Sequence, residues 1–470
     1  MTDTNPQPSP QGRHIATFDP SAPHQQRPRL RPIRGFGFMQ EGKPVLGLAD
    51  ARQISEKVVF TTPAAQAILP FLTGEHDLDV IVAKVNEAVK DKVKEPLGRN
   101  VLEVFVAQLD DAALIEGPNF EALLKKVRED FDSQSILPPS VTANFADALV
   151  QQEFGEGTTE EQKAEHGARK LRAIFDEWIK QSLDKAPDPS FDALPRAIVA
   201  PHLDYGRGWM NYAHAYGRMR VVDPPDRVII LGTNHFGSGT GVTGSDKGYQ
   251  TPLGTSPLDE AFVASLKKNL GADYSERLFR DRYDHEREHS IELHVAWVQH
   301  VFGPGPGAED RPNVPVFAAL VHDPVVRGGD SYDGSGLSIQ PFIDALRATI
   351  DQAGGRTLVV ASADLSHVGP QFGDRVALHG EESENPQGVE ARNKAIHHDR
   401  AMLEMVRQNK PDDLVAAMAW QKNPTRWCSV GNLVATLKTV QPDEVRLLHY
   451  AAAMDPQGMG MVSSCAAAMF

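Results

Sequence analysis

From Arg196 onward, the chain alternates short, continuously apolar runs with segments of helical hydrophobic spacing. The apolar runs are AIVAP (197–201), RVIILG (227–232), VPVFAALV (314–321), TLVVAS (357–362) and RLLHYAAAM (446–454). Continuous apolar strands are buried on both faces, and helices between them cover such a sheet. The pattern predicts an α/β domain over residues 191–470, with a mostly parallel or mixed central sheet flanked by helices.

The first 190 residues have a different pattern, in three parts. Residues 1–31 are rich in Pro, Gln and Ser with few apolar side chains, which predicts a disordered tail. Residues 32–133 combine short strand-like pieces with apolar stripes at helical spacing, which predicts a small, mainly helical domain. Residues 134–190 contain a long amphipathic pattern that runs into a proline-rich stretch, and they predict a helical connector and linker.

The order of elements in residues 32–133 resembles a winged-helix-like module. Two phrases, LPFLTGEHDLDVIVAKV and VLEVFVAQLDDAALIEG, are similar to the small peptide-recognition domains of the pyrroloquinoline-quinone-biosynthesis D type. The alternative is a helical packing module that binds no ligand. DNA binding is disfavoured because the third helical pattern offers almost no outward Lys or Arg.

Charge and cysteine usage exclude several classes of protein. Asp and Glu number 63 against 48 Lys and Arg, so the formal charge of −15 repels phosphate backbones and argues against nucleic acid as a partner. We expect no membrane partner either, because no run of 18 apolar residues occurs. Cys428 and Cys465 are too few for a disulfide framework and predict a reducing, cytoplasmic location.

Histidines follow three of the predicted strands, at the point where each strand ends. His202 comes after the first strand, His235 after the second, and Asp364 and His367 after the fourth. Ligands in open α/β sheets bind just beyond the carboxyl ends of the strands, where the connecting loops converge. We therefore expect these side chains to share one site.

Cys428 supplies a third candidate metal ligand. It precedes a helical pattern in the phrase WCSVGN, and the unpaired N–H groups of a helix N-terminus favour the thiolate. Two imidazoles and one thiolate, with His202 and His235 as the imidazoles, make a three-ligand set with open positions, which suits a catalytic metal. The alternative is an inert buried thiol.

The densest ionisable cluster of the chain is DHEREHSIELH, residues 284–294. We predict that His289 and Glu292 orient the ligand imidazoles or transfer protons; the alternative is a solvated, charged helix start. A literal H-E-x-x-H match covers residues 285–289. It lacks the apolar helical face that a zinc-protease helix needs, so a zinc protease is disfavoured.

Residues 196–470 resemble the Memo family, known as protein B of the AmmeMemoRadiSam system. The matching phrases are APHLDY, ILGTNHFG, YQTPLGTSPLD, EHSIELH, VVASADLSH, WCSVGN and GMVSSCAAAMF. That family is similar in fold to the class III extradiol dioxygenases. The resemblance implies a mixed sheet flanked by helices, with one metal pocket at the strand ends.

The resemblance also implies roles for individual residues. His202, His235 and Cys428 match the family's metal ligands. Asp364 and His367 match the acidic residue and the acid/base histidine of the same pocket. A further pair falls in a family signature within the ionisable cluster: His289 and Glu292.

These features predict a metal-dependent oxidoreductase acting on a small-molecule or peptide substrate. One metal ion is expected, iron(II) first, with copper or zinc as alternatives. We expect His367 to shuttle protons while Asp364 fixes its tautomer. Cys428 stands where the ring-cleaving dioxygenases have a glutamate, and a softer thiolate argues against unmodified ring-cleaving chemistry.

A second hypothesis is a non-catalytic module that binds a metal, a small ligand or a peptide. In it, the N-terminal domain recruits a partner. The family context would make that partner a radical-SAM enzyme or an AMMECR-type protein.

Overall fold

The computed structural model describes residues 16–91, 95–304 and 312–470. The chain divides into two compact units between Ser133 and Gln134. Within the described residues, no helix combines the length and the apolar character needed to cross a bilayer.

In its described residues, the first unit contains a three-stranded antiparallel sheet, in the order β1-β2-β3, and four α-helices. Its strands are β1 (Ile33–Gln40), β2 (Lys43–Asp50) and β3 (Val59–Thr61), and its helices are α1 (Pro23–Gln26), α2 (Leu78–Val89), α3 (Arg99–Asp111) and α4 (Pro118–Ser133). The apolar stripes of α2 and α3 form its core, with Ile81 and Leu102 fully buried. Helical spacing predicted these two helices because their apolar side chains recur every three to four residues.

The predicted disordered tail over residues 1–31 is wrong for its second half. Residues 16–31 are ordered, whereas residues 1–15 lie outside the described part of the chain. The amide of Gln25 donates to Asp110 at 2.7 Å, and the backbone N–H of Leu30 donates to the carbonyl of Leu72 at 2.8 Å. Hydrogen bonds hold this segment, so its low apolar content was a misleading signal.

The second unit is built on an eight-stranded mixed sheet with helices packed against it. The helices are α5 (Val141–Phe154), α6 (Glu160–Leu183), α7 (Tyr205–Tyr216), α8 (Glu260–Arg280), α9 (His289–Phe302), α10 (Ile339–Ala353), α11 (Pro386–Arg407), α12 (Pro411–Gln421) and α13 (Val430–Val440). The strands are β4 (Ile136–Leu137), β5 (Ala197–Ala200), β6 (Arg227–Gly232), β7 (Thr243–Gly244), β8 (Gly248–Thr251), β9 (Gly254–Ser256), β10 (Val316–Leu320), β11 (Thr357–Ser362), β12 (Asp364–Val368), β13 (Val445–Met454) and β14 (Met461–Met469).

The strand order of the large sheet is β12-β14-β5-β11-β6-β10-β7, and β13 pairs with β14. The central strands β5, β11, β6 and β10 are parallel, whereas β14 runs antiparallel to β5 and β7 antiparallel to β10. Val199, Ile229 and Val359 belong to a core cluster shared with α8, α10 and α13. Helices α7 and α9 also contact these strands. The parallel strands are therefore buried, as their continuous apolar runs predict.

Residues 134–190 do not form a separate connector. Strand β4 pairs with β8, and α6 packs along α7 through a stripe of buried apolar side chains. Phe175 of α6 stacks on Trp297 of α9, with ring centroids 4.0 Å apart. The stripe on α6 therefore completes the second unit, because an apolar helix face of this width must be covered.

Candidate metal centre

Three strand ends meet at one edge of the large sheet, because β11 lies between β5 and β6. His202 follows β5, His235 follows β6, and Asp364 and His367 follow β11. All four line one cavity of about 570 Å³. The predicted convergence of these side chains is what the structure shows.

Cys428 reaches the same place from the N-terminus of α13. Its Sγ lies 3.3 Å from Nε2 of His202. The ligand atoms of His202, His235 and Cys428 all lie within 4.8 Å of one another. The three predicted metal ligands are therefore brought together, although 226 residues separate His202 from Cys428.

Hydrogen bonds set the tautomer of His202. The Ser362 hydroxyl donates to the carbonyl of Ser290 at 2.7 Å, so its oxygen accepts from Nδ1–H of His202 at 3.0 Å. This leaves the Nε2 lone pair facing Cys428. Burial lowers the pKa of His202 well below 6.5, so the imidazole is in the neutral form that ligates metals.

Glu288 holds His235 in the same way. Its Oε2 accepts from the backbone N–H of His235 at 2.8 Å, and its Oε1 accepts from Nδ1–H at 3.0 Å. Partial burial would lower the pKa of His235, but the charges of Glu288 and Cys428 outweigh it and raise that pKa well above 6.5. Burial alone would raise the pKa of Glu288; the His235 charge instead brings it to about 2, so Glu288 is a carboxylate.

The arrangement fits a metal ion. At bond lengths typical of imidazole and thiolate ligands, neighbouring donor atoms around a tetrahedral metal lie roughly 3.3–3.6 Å apart. The sulfur-to-nitrogen distance from Cys428 to His202 is already 3.3 Å. Nδ1 of both imidazoles is hydrogen-bonded, which is the usual support of a metal-bound histidine. Because the pKa of His235 is raised, its Nε2 would release a proton when a metal ion binds.

His289 lies at the edge of this cluster. Its ring centroid is 4.8 Å from that of His235 and 5.7 Å from that of His202. Together with His235 and Glu288 it forms a second group of donor atoms within 4.8 Å. Its Nδ1 lies 3.2 Å from Glu288, and burial lowers its pKa. Its role in orienting the ligands or moving protons stays a prediction.

Asp364 and His367 both line the cavity, but Asp364 does not set the tautomer of His367 as predicted. The carbonyl of Leu365 accepts from Nδ1–H of His367 at 2.9 Å, which leaves Nε2 as the basic nitrogen. Asp364 instead accepts from the backbone N–H groups of His202 and Leu203 at 3.1 and 3.2 Å. Burial raises the pKa of Asp364 to about 7, and burial lowers the pKa of His367.

The cavity has apolar walls with a charged pair among its lining residues. Its remaining lining residues are Val141, Phe145, Leu203, Asp204, Tyr205, Arg207, Phe236, His289, Leu293, Gln371, Phe372 and Val462. The guanidinium of Arg207 binds the carboxylate of Asp204 at 2.5 Å. A few polar groups converging in an apolar pocket of this size are typical of a small-ligand site.

The carboxylate of Glu292 lies at the N-terminus of α5. Its carboxylate accepts from the backbone N–H groups of Ser140, Val141 and Thr142 and from the Thr142 hydroxyl, at 2.5–3.2 Å. These are the unpaired donors at the N-terminus of α5. It is absent from the described residues that line the cavity. All of these hydrogen bonds go to a helix end, so the position of Glu292 does not support the predicted role in orienting ligands or transferring protons.

The H-E-x-x-H match does not form a two-histidine face. His285 ends a short 3₁₀ helix and is buried, whereas His289 begins α9. The Tyr249 hydroxyl donates to Nδ1 of His285 at 2.9 Å, and Nε2–H donates to the carbonyl of Thr243 at 3.0 Å. His285 therefore has a structural role.

His285 makes the fold sensitive to acid. Burial lowers its pKa to about 4, below the unfolded value of 6.5, so its contribution to stability is present above pH 6.5 and is lost toward pH 4. The unfolding free energy of the unaltered chain should fall when the pH is lowered from 7 to 5. In His285→Asn this fall should be smaller by about 2 kcal/mol. Urea unfolding at both pH values measures this. The exposed His397→Asn is the control, and equal pH dependence in all three chains would contradict the expectation.

Sequence reasoning missed two supports of the site, Glu288 and Ser362. Glu288 lies in the ionisable cluster, but nothing in the local pattern distinguishes it from Glu286 or Glu292. Ser362 is the last residue of the apolar strand β11. A polar residue at the end of such a strand is the one sequence signal that could have indicated its role.

Comparisons with known proteins agree with the resemblance seen in the sequence. A family model described as Memo-like protein matches residues 163–469. A MEMO1 family protein of Methanopyrus kandleri is 28% identical over 268 residues, which cover 56% of this chain and 77% of that protein. One of Methanocaldococcus jannaschii is 27% identical over 270 residues, covering 56% and 79%. One of Desulfurococcus amylolyticus is 28% identical over 205 residues, covering 43% and 64%. The chain therefore belongs to the Memo-like protein family.

Proposed function

We propose that the chain is a metal-dependent oxidoreductase with a dioxygenase-like pocket, and that it acts on a small-molecule or peptide substrate. The observation that carries the proposal is the cluster of His202, His235 and Cys428 donor atoms beside a cavity lined by His367. The ion would be iron(II), with copper or zinc as alternatives. Bound iron or copper would supply electron-transfer chemistry between the substrate and an oxidant such as dioxygen.

The residues around the ligands prepare the site before any ion binds. Ser362 and Glu288 orient the two imidazoles, so little reorganisation is needed when the ion arrives. Cys428 and Cys465 are both free of disulfides, and a thiolate ligand is best preserved in a reducing compartment. A cytoplasmic location is part of the proposal for that reason.

His367 is the proposed proton carrier. Its Nε2 is left basic by the bond from Nδ1–H to Leu365, and its lowered pKa keeps the ring neutral at pH 7. It can accept a proton from a substrate hydroxyl in the cavity and return the proton later. Asp364, with a pKa of about 7, exists in both protonation states near neutral pH and can hold a proton beside His202.

Replacing His367 separates proton transfer from metal binding. We expect His367→Gln to keep its metal content, because His367 is not one of the three ligands. Metal-dependent oxygen uptake with ascorbate as reductant should fall by roughly 10²–10⁴-fold, the usual contribution of a general acid or base. Elemental analysis and an oxygen electrode measure the two quantities on iron-loaded protein.

The control for this variant is His397→Gln, which changes an exposed histidine of α11. It should match the unaltered chain in both measurements. Unchanged oxygen uptake by His367→Gln would remove His367 from the mechanism, and no metal-dependent uptake by the unaltered chain would contradict the oxidoreductase proposal.

A second candidate function is a binding module that acts with a radical-SAM enzyme or an AMMECR-type protein of the AmmeMemoRadiSam system. The observation that favours it is the exposed apolar surface of the first unit, the proposed winged-helix-like, peptide-recognition-like domain. There Met39, Phe60 and Val101 are 66%, 57% and 54% exposed. A contiguous patch of exposed apolar side chains often marks a protein contact. A partner retained by the full chain but lost by Phe60→Ser would support this function.

A further inference from the structure

Asp399 of α11 is a fully buried carboxylate with four hydrogen-bond donors around it. Its Oδ1 accepts from the Ser366 hydroxyl at 2.5 Å and from Nε1–H of Trp427 at 2.7 Å. Its Oδ2 accepts from the hydroxyls of Tyr450 and Ser463 at 2.6 and 2.5 Å. A buried charge is tolerated when its oxygens are satisfied in this way.

Two of the four donors are neighbours of the proposed site residues. Ser366 directly precedes His367, and Trp427 directly precedes Cys428. Ser366 and Trp427 also contact each other, at 3.3 Å between Oγ and Nε1. One carboxylate oxygen therefore joins the segment that carries the proton carrier to the segment that carries the thiol ligand.

The segment before Cys428 needs such an anchor because its backbone is strained. Lys422, Asn423 and Arg426 all adopt left-handed conformations, with φ of 57°, 44° and 58°. Non-glycine residues in that region are energetically unfavourable and persist only where the surroundings hold them. The side chain of Asn423 bonds both the N–H and the carbonyl of Trp427 at 2.8 Å, and Asp399 fixes the indole.

We propose that Asp399 is a positioning residue of the metal site, which holds Cys428 at ligating distance from His202 through the indole of Trp427. It contacts no ligand itself. The inference rests on the proposed metal site. Without Asp399, the indole N–H of Trp427 loses its anionic acceptor and the strained segment relaxes, which moves the thiol.

Cobalt(II) is the probe for this inference, because a bound thiolate gives cobalt a near-ultraviolet charge-transfer band. We expect Asp399→Ala in the full chain to bind cobalt at least about tenfold more weakly, with a diminished band. Asp399→Asn should restore affinity to within about threefold. Its amide oxygen can still accept from Trp427, while the hydroxyls of Tyr450 and Ser463 turn to accept from the amide N–H₂.

A matched pair distinguishes positioning from general stability. Trp427→Phe removes the donor that leads to Cys428, and Tyr450→Phe removes a donor on β13 that leads to neither site segment. We expect the first to weaken cobalt binding about tenfold and the second to leave it within twofold, even where both lower the unfolding temperature. This pair also serves if Asp399→Ala does not fold.

Equal cobalt affinity in Trp427→Phe and Tyr450→Phe would overturn the positioning role, as would an Asp399→Ala variant with the unaltered band and affinity. A different result would show that the proposed metal site itself is wrong, rather than the positioning role of Asp399. If the unaltered chain shows no cobalt–thiolate band, the proposed metal site is refuted, and the inference falls with it.

Discussion

Cys428→Ser is expected to lose its metal. A hydroxyl is a much poorer ligand than a thiolate for iron(II), copper or zinc, and only His202 and His235 would remain of the three donors. The loss of affinity should exceed the 10–100-fold that removal of a supporting residue costs. Elemental analysis of anaerobically purified protein and metal titration both measure it.

The chain contains its own control for that experiment, because its other cysteine lies in the core. Cys465 is 1% exposed on β14, and burial raises the pKa of its thiol to about 12. We expect Cys465→Ser to keep full metal content, even though it places a hydroxyl in an apolar core. Loss of metal in Cys465→Ser but not in Cys428→Ser would contradict the assignment of the third ligand.

Glu292→Ala is expected to be the most destabilising substitution of the ionisable cluster. It leaves the N–H groups at the start of α5 and the Thr142 hydroxyl without their carboxylate partner. The two donors of Thr142 are buried, and buried donors that lose a charged acceptor cost about 1–3 kcal/mol each, so we expect a loss of about 4 kcal/mol in unfolding free energy. Urea unfolding measures it, and metal content at low temperature should be unchanged.

Two further variants make the Glu292 result specific. Glu292→Gln keeps one acceptor oxygen and should lose about half as much free energy. Glu276→Ala changes an exposed glutamate of α8 and should stay within about 0.5 kcal/mol of the unaltered chain. If Glu292→Ala keeps its stability but loses oxygen uptake, the original catalytic prediction for Glu292 returns.

Local sequence patterns predict helices, strands and the residues at strand ends well, and they predict the hydrogen-bond partners of buried side chains poorly. Helix α10 (Ile339–Ala353) lies between the apolar runs at 314–321 and 357–362, where helical hydrophobic spacing predicts a helix. The strand-end residues His202 and His235 were placed together because parallel strands deliver their ends to one edge. Cys428 was added from its position before a helix, and the structure brings it to the same point.

The structure disagrees with two predictions about the site, and both concerned hydrogen-bond partners between distant segments. Glu292 and His289 lie in one short cluster, yet one caps α5 and the other borders the ligands. Asp364 was predicted to fix the tautomer of His367, which lies three residues further along the chain. The bulge in β12 between these two residues belongs to the strand pairing with β14, which no local pattern describes.

The sequence by itself determined the α/β class, five strands of the second unit (β5, β6, β10, β11 and β13) and the histidines that follow three of them, because apolar periodicity is a local property of the chain. Only the tertiary structure decided that Glu288 orients His235, that Glu292 caps a helix and that Asp399 links the two segments of the site. Each of these carboxylates is bonded to residues far away in the chain: 53 positions for Glu288, about 150 for Glu292, and 28 to 64 for Asp399. A buried carboxylate acts on whichever donors the packing of the surrounding elements places around it, and that packing is a property of the whole fold.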